Sequence, residues 1–286
     1  ALTVVTARQP AQGWSGKVWA QSEGLAAADQ VAPEATWLWL TDADIAHGRG
    51  SLTELSARAI HEQRDMVSLM VRLRCDSFWE RLIVPAFVFF FAKLYPFERV
   101  NDPRSRVAAA AGGCMLVRRA AMKRIGGFAA IRSALIDDCS LAAQIKPGAS
   151  IRLDLADDSY SLRPYDDWQS LWNMIARSAY TQLHHSPLLL AGAVLGMVLT
   201  YLTAPILVLG GLAYGIGLQV TWPALLAWFA MTFAYLPMLR EYRRSGAWAL
   251  LLPLTALFYM GATVASAWRY WLRRGGQWKG RVQAQH

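Results

Sequence analysis

The composition of this 286-residue chain differs from that of an ordinary soluble protein, because 55% of its residues are hydrophobic and only 17% are charged. Its net charge of +9 is unevenly placed. From residue 187 onward there are eight basic residues and one acidic residue, and the preceding part is nearly neutral. Since the excess lies beside apolar runs, anionic lipid headgroups rather than nucleic acid are its expected partners.

The three cysteines, Cys75, Cys114 and Cys139, show no CxxC spacing, which argues against a zinc site or a disulfide framework. The N-terminal sequence ALTVVTARQP lacks the charged start and apolar stretch of a signal peptide. We therefore expect the polar part of the chain to face a reducing, cytoplasmic compartment.

The first 182 residues alternate short apolar runs with helical patterns. Strands are predicted at residues 2–5, 37–40, 66–71, 114–117 and 151–155. Ser15 precedes a predicted helix at 17–31, a capping box from Ser51 to Glu54 predicts another helix start, and Gly126-Gly127 predicts a helix end. This alternation predicts an α/β fold with a mostly parallel sheet covered by helices on both faces.

Residues 78–97 are apolar and aromatic, but Glu80, Arg81, Pro85 and Lys93 interrupt the run. The pattern favours an amphipathic helix at a membrane interface. A buried core helix is the alternative.

Three apolar blocks follow, at residues 187 to about 210, 222–239 and 247–268, each near the 20 residues that a membrane-crossing helix needs. Three crossings place the basic cluster 240–244 on the cytoplasmic side but leave the basic C-terminal tail outside, against the positive-inside rule, so one block is alternatively re-entrant. The predicted domains are a cytoplasmic α/β domain at 1–165, an interfacial amphipathic helix at 166–186, transmembrane helices at 187–272 and a basic tail at 273–286.

Two carboxylates, Asp42 and Asp44, follow the strand predicted at 37–40. Ligands of open α/β sheets gather beyond the carboxyl ends of strands. Two such close carboxylates are costly unless a cation neutralises them, and Mg²⁺ or Mn²⁺ bridging diphosphate oxygens would do so. The pattern favours a metal and nucleotide site, with a solvated acidic turn as the alternative. His47 is either a phosphate contact or a turn residue.

A second acidic pair, Asp137 and Asp138, precedes a predicted helix. Asp137 is either the cap of that helix or a functional residue, and Asp138 is placed to act as a general base toward an acceptor hydroxyl. Small residues allow close backbone approach. Gly112, Gly113 and Cys114 are therefore predicted to form the floor of an acceptor site, with tight strand packing as the alternative.

Four motifs stand in a fixed order along the chain: GWSGKVWA (13–20), LTDADI (40–45), AAGGCMLVRRAAMKRIGGF (110–128) and IDDCSLA (136–142). An amphipathic helix with an arginine and the apolar blocks follow them. This order resembles the family 2 glycosyltransferases with a GT-A fold. The chain looks most like the hopene-associated (HpnB-type) members, near the ceramide glucosyltransferase-like ones, over nearly its whole length.

The resemblance implies a multi-pass enzyme of the cell inner membrane whose cytoplasmic domain transfers a sugar from a nucleotide-sugar, such as a UDP-sugar, to a lipid. A hopanoid is the suggested acceptor, and inversion at the anomeric carbon is expected. Asp42 and Asp44 match the residues that hold Mg²⁺ or Mn²⁺ and the donor, and Lys17 matches a lysine near the donor diphosphate. Asp138 matches the base, and Asp137 stands where the family has glutamate.

Two features depart from the family. Membrane members carry a (Q/R)xxRW motif on an interfacial helix; here Arg177 matches the donor-binding arginine, but Met174 and Ser178 differ. The chain also begins at ALTVV, after the point where family members have a first strand and an acidic loop for the uracil base. The first nucleotide-binding unit is therefore expected to be missing.

Two other classes stay open from the sequence. A DxD after a strand also occurs in haloacid-dehalogenase phosphatases, but those have Thr or Val where this chain has Ala46. A noncatalytic or truncated membrane scaffold is the second alternative. Trp14 and Trp168 are candidate acceptor contacts, whereas the adjacent His184 and His185 are expected at a membrane interface.

Overall fold

The computed structural model describes residues 2–215, 217–272, 277–278 and 281–282. Its helices are α1 (Gly16–Val31), α2 (Ser51–His61), α3 (Phe78–Leu94), α4 (Phe97–Asn101), α5 (Arg119–Arg124), α6 (Asp137–Ile145), α7 (Trp168–Gln182), α8 (Pro187–Met197), α9 (Thr203–Tyr214), α10 (Leu218–Glu241) and α11 (Leu252–Trp271). Its strands are β1 (Trp37–Leu40), β2 (Ile45–His47), β3 (Met66–Arg72), β4 (Met115–Arg118), β5 (Ile151–Ser161), β6 (Gln277–Trp278) and β7 (Arg281–Val282).

The described residues fall into two compact units. The first contains residues 2–74, 92–163 and 281–282. The second contains residues 75–91, 164–215, 217–272 and 277–278. The segment 75–91 therefore belongs with the C-terminal helices, although it lies within the part of the sequence predicted as one α/β domain.

A five-stranded sheet in the order β1-β4-β3-β5-β2 forms the centre of the first unit. Only β3 and β5 pair in parallel; β1–β4, β3–β4 and β2–β5 are antiparallel. The prediction of a mostly parallel sheet was wrong, and the fold is mixed α/β. The long connection after β3 returns at the end of the sheet where β3 finishes, so β4 runs back along β3, with Met66 opposite Val117 and Ser68 opposite Met115.

Four of the five predicted strands are confirmed as β1, β3, β4 and β5. The prediction at residues 2–5 was wrong: this segment lies outside any strand, and Leu2 and Val4 are exposed. The strand β2 was not predicted because three residues are too few to show an alternating pattern. The glycine pair does follow α5, where Gly126 adopts a left-handed φ of 80°.

The core of the first unit lies between β3, β4 and α2. The residues from Met66 to Val71 are all buried, as the continuous apolar run of a central strand requires. The clustered core side chains are Leu55, Ala59, Val67, Leu69, Val71, Cys114, Leu116 and Ala156. Cys114 is among them and fully buried, so its thiol packs in the core and is not exposed at the floor of a site.

The capping box predicted at Ser51 was wrong. Gly50 is the N-cap of α2 and no side chain caps it. The Ser51 hydroxyl instead donates to the Asp158 carbonyl at 3.4 Å, and Glu54 pairs with Arg58 at 2.6 Å. Competition from these partners explains why the local motif did not form a cap.

A capping box does form at the start of α3, in the second unit. The Ser77 N–H donates to Glu80 Oε2 at 2.8 Å, and the Glu80 N–H donates to Ser77 Oγ at 3.1 Å. Glu80 is fully buried, and its other oxygen accepts the Tyr165 N–H at 2.8 Å. The carboxylate therefore joins α3 to the segment that precedes α7.

The middle of α3 is buried, which confirms the alternative reading of residues 78–97 as a core helix. Pro85 lies inside it and removes one backbone donor. Two carbonyls in the preceding turn accept side-chain hydroxyls from α11: Thr255 donates to Leu82 and Tyr259 donates to Ile83, each at 3.3 Å. These bonds join α3 to the last apolar helix.

Three helical segments of the described chain are long and apolar enough to cross a membrane: Pro187–Tyr214, Leu218–Glu241 and Gly246–Trp271. They match the three predicted blocks in position. The helix α7 corresponds to the predicted amphipathic segment, and Asp167 caps it by accepting the Ser170 N–H at 2.6 Å. Apart from the two short strands β6 and β7, the predicted basic tail lies outside the described residues.

Candidate active site

Lys17 joins segments that are far apart in the sequence. It lies in the first turn of α1, and its Nζ is 3.1 Å from Asp42 Oδ1 and 3.1 Å from Asp137 Oδ2. Burial lowers the pKa of this lysine, but the combined attraction of Asp137, Asp42 and Asp138 outweighs burial and raises the pKa above its usual range. The turn after β1 and the start of α6 therefore meet at a single charged ammonium group.

Asp137 does not cap α6, contrary to one reading of the sequence. Ile136 is the N-cap, and no side chain bonds there. The buried Asp137 carboxylate instead accepts from Lys17 and, at 3.1 Å, from the Gln21 side-chain amide. Gln21 was missed from the sequence, although its position one helical turn after Lys17 places both side chains on the same face of α1.

Asp138 is held by two backbone donors. Its Oδ2 accepts the Gly112 N–H at 2.8 Å and its Oδ1 accepts the Cys139 N–H at 2.7 Å. Burial, and then the negative charge of Asp137, raise the pKa of Asp138 to about 6, against the opposing effects of Lys17 and the two N–H groups. A carboxylate with this pKa is mostly ionised at neutral pH and can accept a proton from a hydroxyl.

The glycine loop before β4 lies against this cluster. A Cβ on Gly112 would come within 3.3 Å of both Asp138 Oδ2 and Lys17 Nζ, so the absence of a side chain permits the contact. A Cβ on Gly113 would be 2.9 Å from a methyl group of Val71, which is tight packing against the sheet. Close approach therefore explains Gly112, and packing explains Gly113.

The turn that carries Asp42 and Asp44 is fixed by its neighbours. The Thr41 hydroxyl donates to the Gly113 carbonyl at 3.0 Å and lies 2.8 Å from His47 Nε2. His47 Nδ1 lies 2.9 Å from Ser159 Oγ, and burial lowers the pKa of the imidazole. In the described part of the chain, His47 therefore contacts residues that shape the turn.

Asp44 is half-buried, and its backbone carbonyl accepts the Leu162 N–H at 2.7 Å. Among the described contacts, none joins its carboxylate to Lys17, Asp42, Asp137 or Asp138. Asp42 is thus in the cluster, and Asp44 is two residues from it along the same turn.

Asp42 and Asp44 are the candidate ligands for a magnesium or manganese ion. No group of three or more His, Cys, Asp or Glu side chains that could hold a metal is found among the described residues. Magnesium needs no such cage, because it commonly binds one or two carboxylates and completes its shell with water and substrate phosphates. The carboxylates of Asp42 and Asp44 provide ligands of this kind.

The remaining predicted site residues make no described contact with Lys17, Asp42, Asp137 or Asp138. Arg177 is on the exposed face of α7 in the second unit, and Trp168, also in that unit, makes an edge contact with Trp172. Trp14 packs edge-on against Trp19 in the first unit. His185 stacks on Tyr270 with ring centroids 4.2 Å apart. The predicted roles of Arg177, Trp14 and Trp168 stay predictions.

Comparison with known proteins identifies the family of the chain. No curated protein gives a significant match to the chain. The family model of glycosyl transferase family 21, a ceramide glucosyltransferase-like group, matches residues 5–283. That match covers nearly the whole sequence and includes every residue of the Lys17 cluster. The chain belongs to glycosyl transferase family 21 and is a glycosyltransferase.

Proposed function

We propose that this glycosyltransferase moves a sugar from a nucleotide-sugar donor, a UDP-sugar by resemblance, to the hydroxyl group of a membrane lipid, with inversion at the anomeric carbon. A hopanoid acceptor, the HpnB-type specificity, the GT-A fold and a cytoplasmic domain at the cell inner membrane belong to the same proposal. The observation that carries it is the convergence of Asp42, Asp137 and Asp138 around Lys17, at the end of an apolar strand.

In the proposed reaction Asp138 takes the proton of the acceptor hydroxyl as the hydroxyl oxygen bonds to the anomeric carbon. The bond from that carbon to the diphosphate breaks at the same time, and the nucleoside diphosphate leaves with the electron pair. Two backbone N–H groups keep the Asp138 carboxylate oriented, and its pKa of about 6 keeps it ionised at neutral pH. A single displacement inverts the configuration of the sugar.

Lys17, Asp42 and Asp44 are proposed to receive the donor diphosphate. The Lys17 ammonium lies between the turn after β1 and the start of α6, where its positive charge favours a diphosphate. Asp42 and Asp44 would hold Mg²⁺ or Mn²⁺, which when bound neutralises charge on the departing diphosphate. Asp137 orients Lys17 through their ion pair.

A lipid acceptor is supported by the three apolar helices, whose many exposed leucines and aromatic residues suit a bilayer. Arg177, on α7 just before these helices, is proposed to assist donor binding.

The phosphatase alternative is disfavoured because Ala46, at the position where those enzymes have Thr or Val, lies within β2 and pairs with Tyr160. The scaffold alternative predicts no nucleotide-sugar binding. Binding of a radiolabelled UDP-sugar with Mn²⁺ to the purified chain and to Asp44→Ala separates these classes. We expect binding that chelation removes and that the variant lacks; absence of binding by the intact chain would refute the proposal.

The proposed transfer of a sugar to a lipid is tested by mass spectrometry of lipids from cells that express the protein. We expect a glycosylated lipid that disappears with Asp138→Asn and persists with Asp157→Asn, which makes the same change at an exposed position of β5. Retention of configuration in the isolated product would exclude a single displacement.

A further inference from the structure

The loop from Ala110 to Gly113 is held at every residue. The Cys139 thiol donates to the Ala110 carbonyl at 3.5 Å, and Thr41 donates to the Gly113 carbonyl. Between these contacts, the Cys114 N–H donates to the Ala111 carbonyl at 3.2 Å, which closes a four-residue turn with two glycines at its centre. The Gly112 N–H projects from this turn to Asp138.

Ser68, on β3, hydrogen-bonds the backbone of Ala111, the first residue of that turn. The Ala111 N–H donates to Ser68 Oγ at 2.8 Å, and Ser68 Oγ donates in turn to the Ala111 carbonyl at 3.2 Å. A hydroxyl can do both because it has one proton to donate and lone pairs to accept. Ser68 is completely buried on β3, and the described hydrogen bonds of its side chain all go to Ala111.

We propose that Ser68 is a positioning residue for the proposed base: by fixing both polar groups of Ala111, it sets the place of the next N–H, that of Gly112, against the Asp138 carboxylate. This inference rests on the proposed function, because it concerns the same carboxylate. A serine whose only task was to fill space on β3 would not need to bond both backbone polar groups of a residue outside the strand.

The consequence for Asp138 follows from its surroundings. The Gly112 N–H favours the ionised carboxylate, as does Lys17 from α1, whereas burial and Asp137 on its own helix favour the protonated form. When the turn is released, the Gly112 hydrogen bond lengthens and the carboxylate becomes both less oriented and easier to protonate. Donor binding by Lys17 and Asp42 involves other atoms and should change little.

The test compares Ser68→Ala with Ser68→Cys and with Ser161→Ala, which removes a buried hydroxyl from β5 of the same sheet. For Ser68→Ala we expect kcat to fall about tenfold with the donor KM within about twofold of the parent value. The acid limb of the kcat profile should also move up by about 0.7 pH unit, so that the ratio of variant to parent activity is about threefold lower at pH 6 than at pH 8.

Ser161→Ala should keep the parent kcat and acid limb. Ser68→Cys keeps the side-chain shape with a slightly larger atom that forms weaker hydrogen bonds, so it should show the same changes to a smaller extent, and it serves as the measured variant if Ser68→Ala does not fold. Thermal unfolding identifies the folded proteins. A folded Ser68 variant with the parent acid limb, or with a loss confined to donor KM, would overturn the inference.

Asp138→Asn is measured alongside to separate the two proposals. If it is inactive and the Ser68 variants behave like the parent, only the role of Ser68 fails. If Asp138→Asn keeps the parent kcat, the proposed base fails, and with it the basis of this inference.

Discussion

Replacement of Lys17 by methionine tests how strongly the cluster depends on one positive charge. Lys17 Nζ and Asp138 Oδ2 both lie 3.3 Å from the position of a Cβ on Gly112, so they are at most twice that distance apart. At an effective dielectric constant of about 20, the attraction across that distance is roughly 2–3 kcal/mol. Because the Lys17 side chain is 30% exposed, screening reduces the effect to about 1–2 kcal/mol, or about one pH unit.

The pKa of Asp138 is raised to about 6 in the intact protein, and Lys17 is the charge that opposes this rise. We therefore expect the acid limb of kcat to move from near pH 6 to about pH 7 in Lys17→Met. The assay is sugar transfer in detergent or lipid nanodiscs between pH 5 and pH 9, at saturating donor, so that weakened donor binding does not mask the change.

Lys123→Met is the matched control, since it removes the same charge from an exposed position on α5. It should leave the limb in place. An acid limb of Lys17→Met that coincides with that of the parent protein would refute the claim that Lys17 controls the ionisation of Asp138.

Three further predictions concern the stability of the fold and the close packing of Gly112 against Asp138. Glu80→Ala leaves the buried Tyr165 N–H and the partly buried N–H groups of Asp76 and Ser77 without this acceptor, so the free energy of unfolding should fall by about 2–4 kcal/mol, measured as a lower thermal midpoint. An unchanged midpoint would contradict a stabilising role for the Glu80 carboxylate. The raised pKa of Asp138 means that its protonated form suits the fold, so its contribution to stability is present below its usual pKa of 3.8 and is lost as the pH rises to about 6. Asp138→Asn should abolish that part of the pH dependence of the thermal midpoint, and a parallel curve would contradict it. Gly112→Ala should lower kcat several-fold yet keep the parent midpoint, because the nearest atoms to the added Cβ, at 3.3 Å, are the ends of the Asp138 and Lys17 side chains, and Asp138 Cβ is at an ordinary contact distance of 3.7 Å. Kinetics and circular dichroism melting on the same sample check both parts, and a parent kcat would contradict the prediction.

Continuous apolar runs in the sequence predicted the buried strands and the apolar helices. The apolar runs of β3 and β4 and the three apolar helices were predictable because burial on both faces, or in lipid, requires continuous hydrophobic sequence. The turn with Asp42 and Asp44 was predictable because it follows the short apolar strand β1, although β1 is an edge strand and only Leu38 in it is buried. Asp138 was proposed as a base from its place at the start of a helix and Lys17 was assigned from a resemblance; the structure brings both into the cluster that contains Asp42.

The sequence did not show which of several possible hydrogen-bond or ion-pair partners each polar side chain binds. Ser51 and Glu54 have the sequence pattern of a capping box, but Ser51 bonds to β5 and Glu54 pairs with Arg58 instead. Asp137 has the position of a cap, but a lysine more than a hundred residues away binds it. Strand direction was missed for a similar reason, because it depends on where a long connection returns and not on the residues of β4 itself.

The departure of the chain from the first unit after Arg74 limits how the enzyme can be shortened. A fragment ending near residue 163 would keep every group of the Lys17 cluster, yet it would also carry residues 75–91 without the hydroxyls of Thr255 and Tyr259 that bond α3. That apolar stretch would face solvent and cause aggregation. Preparation of a water-soluble catalytic fragment therefore requires replacing the stretch with a polar linker, not merely deleting the C-terminal helices.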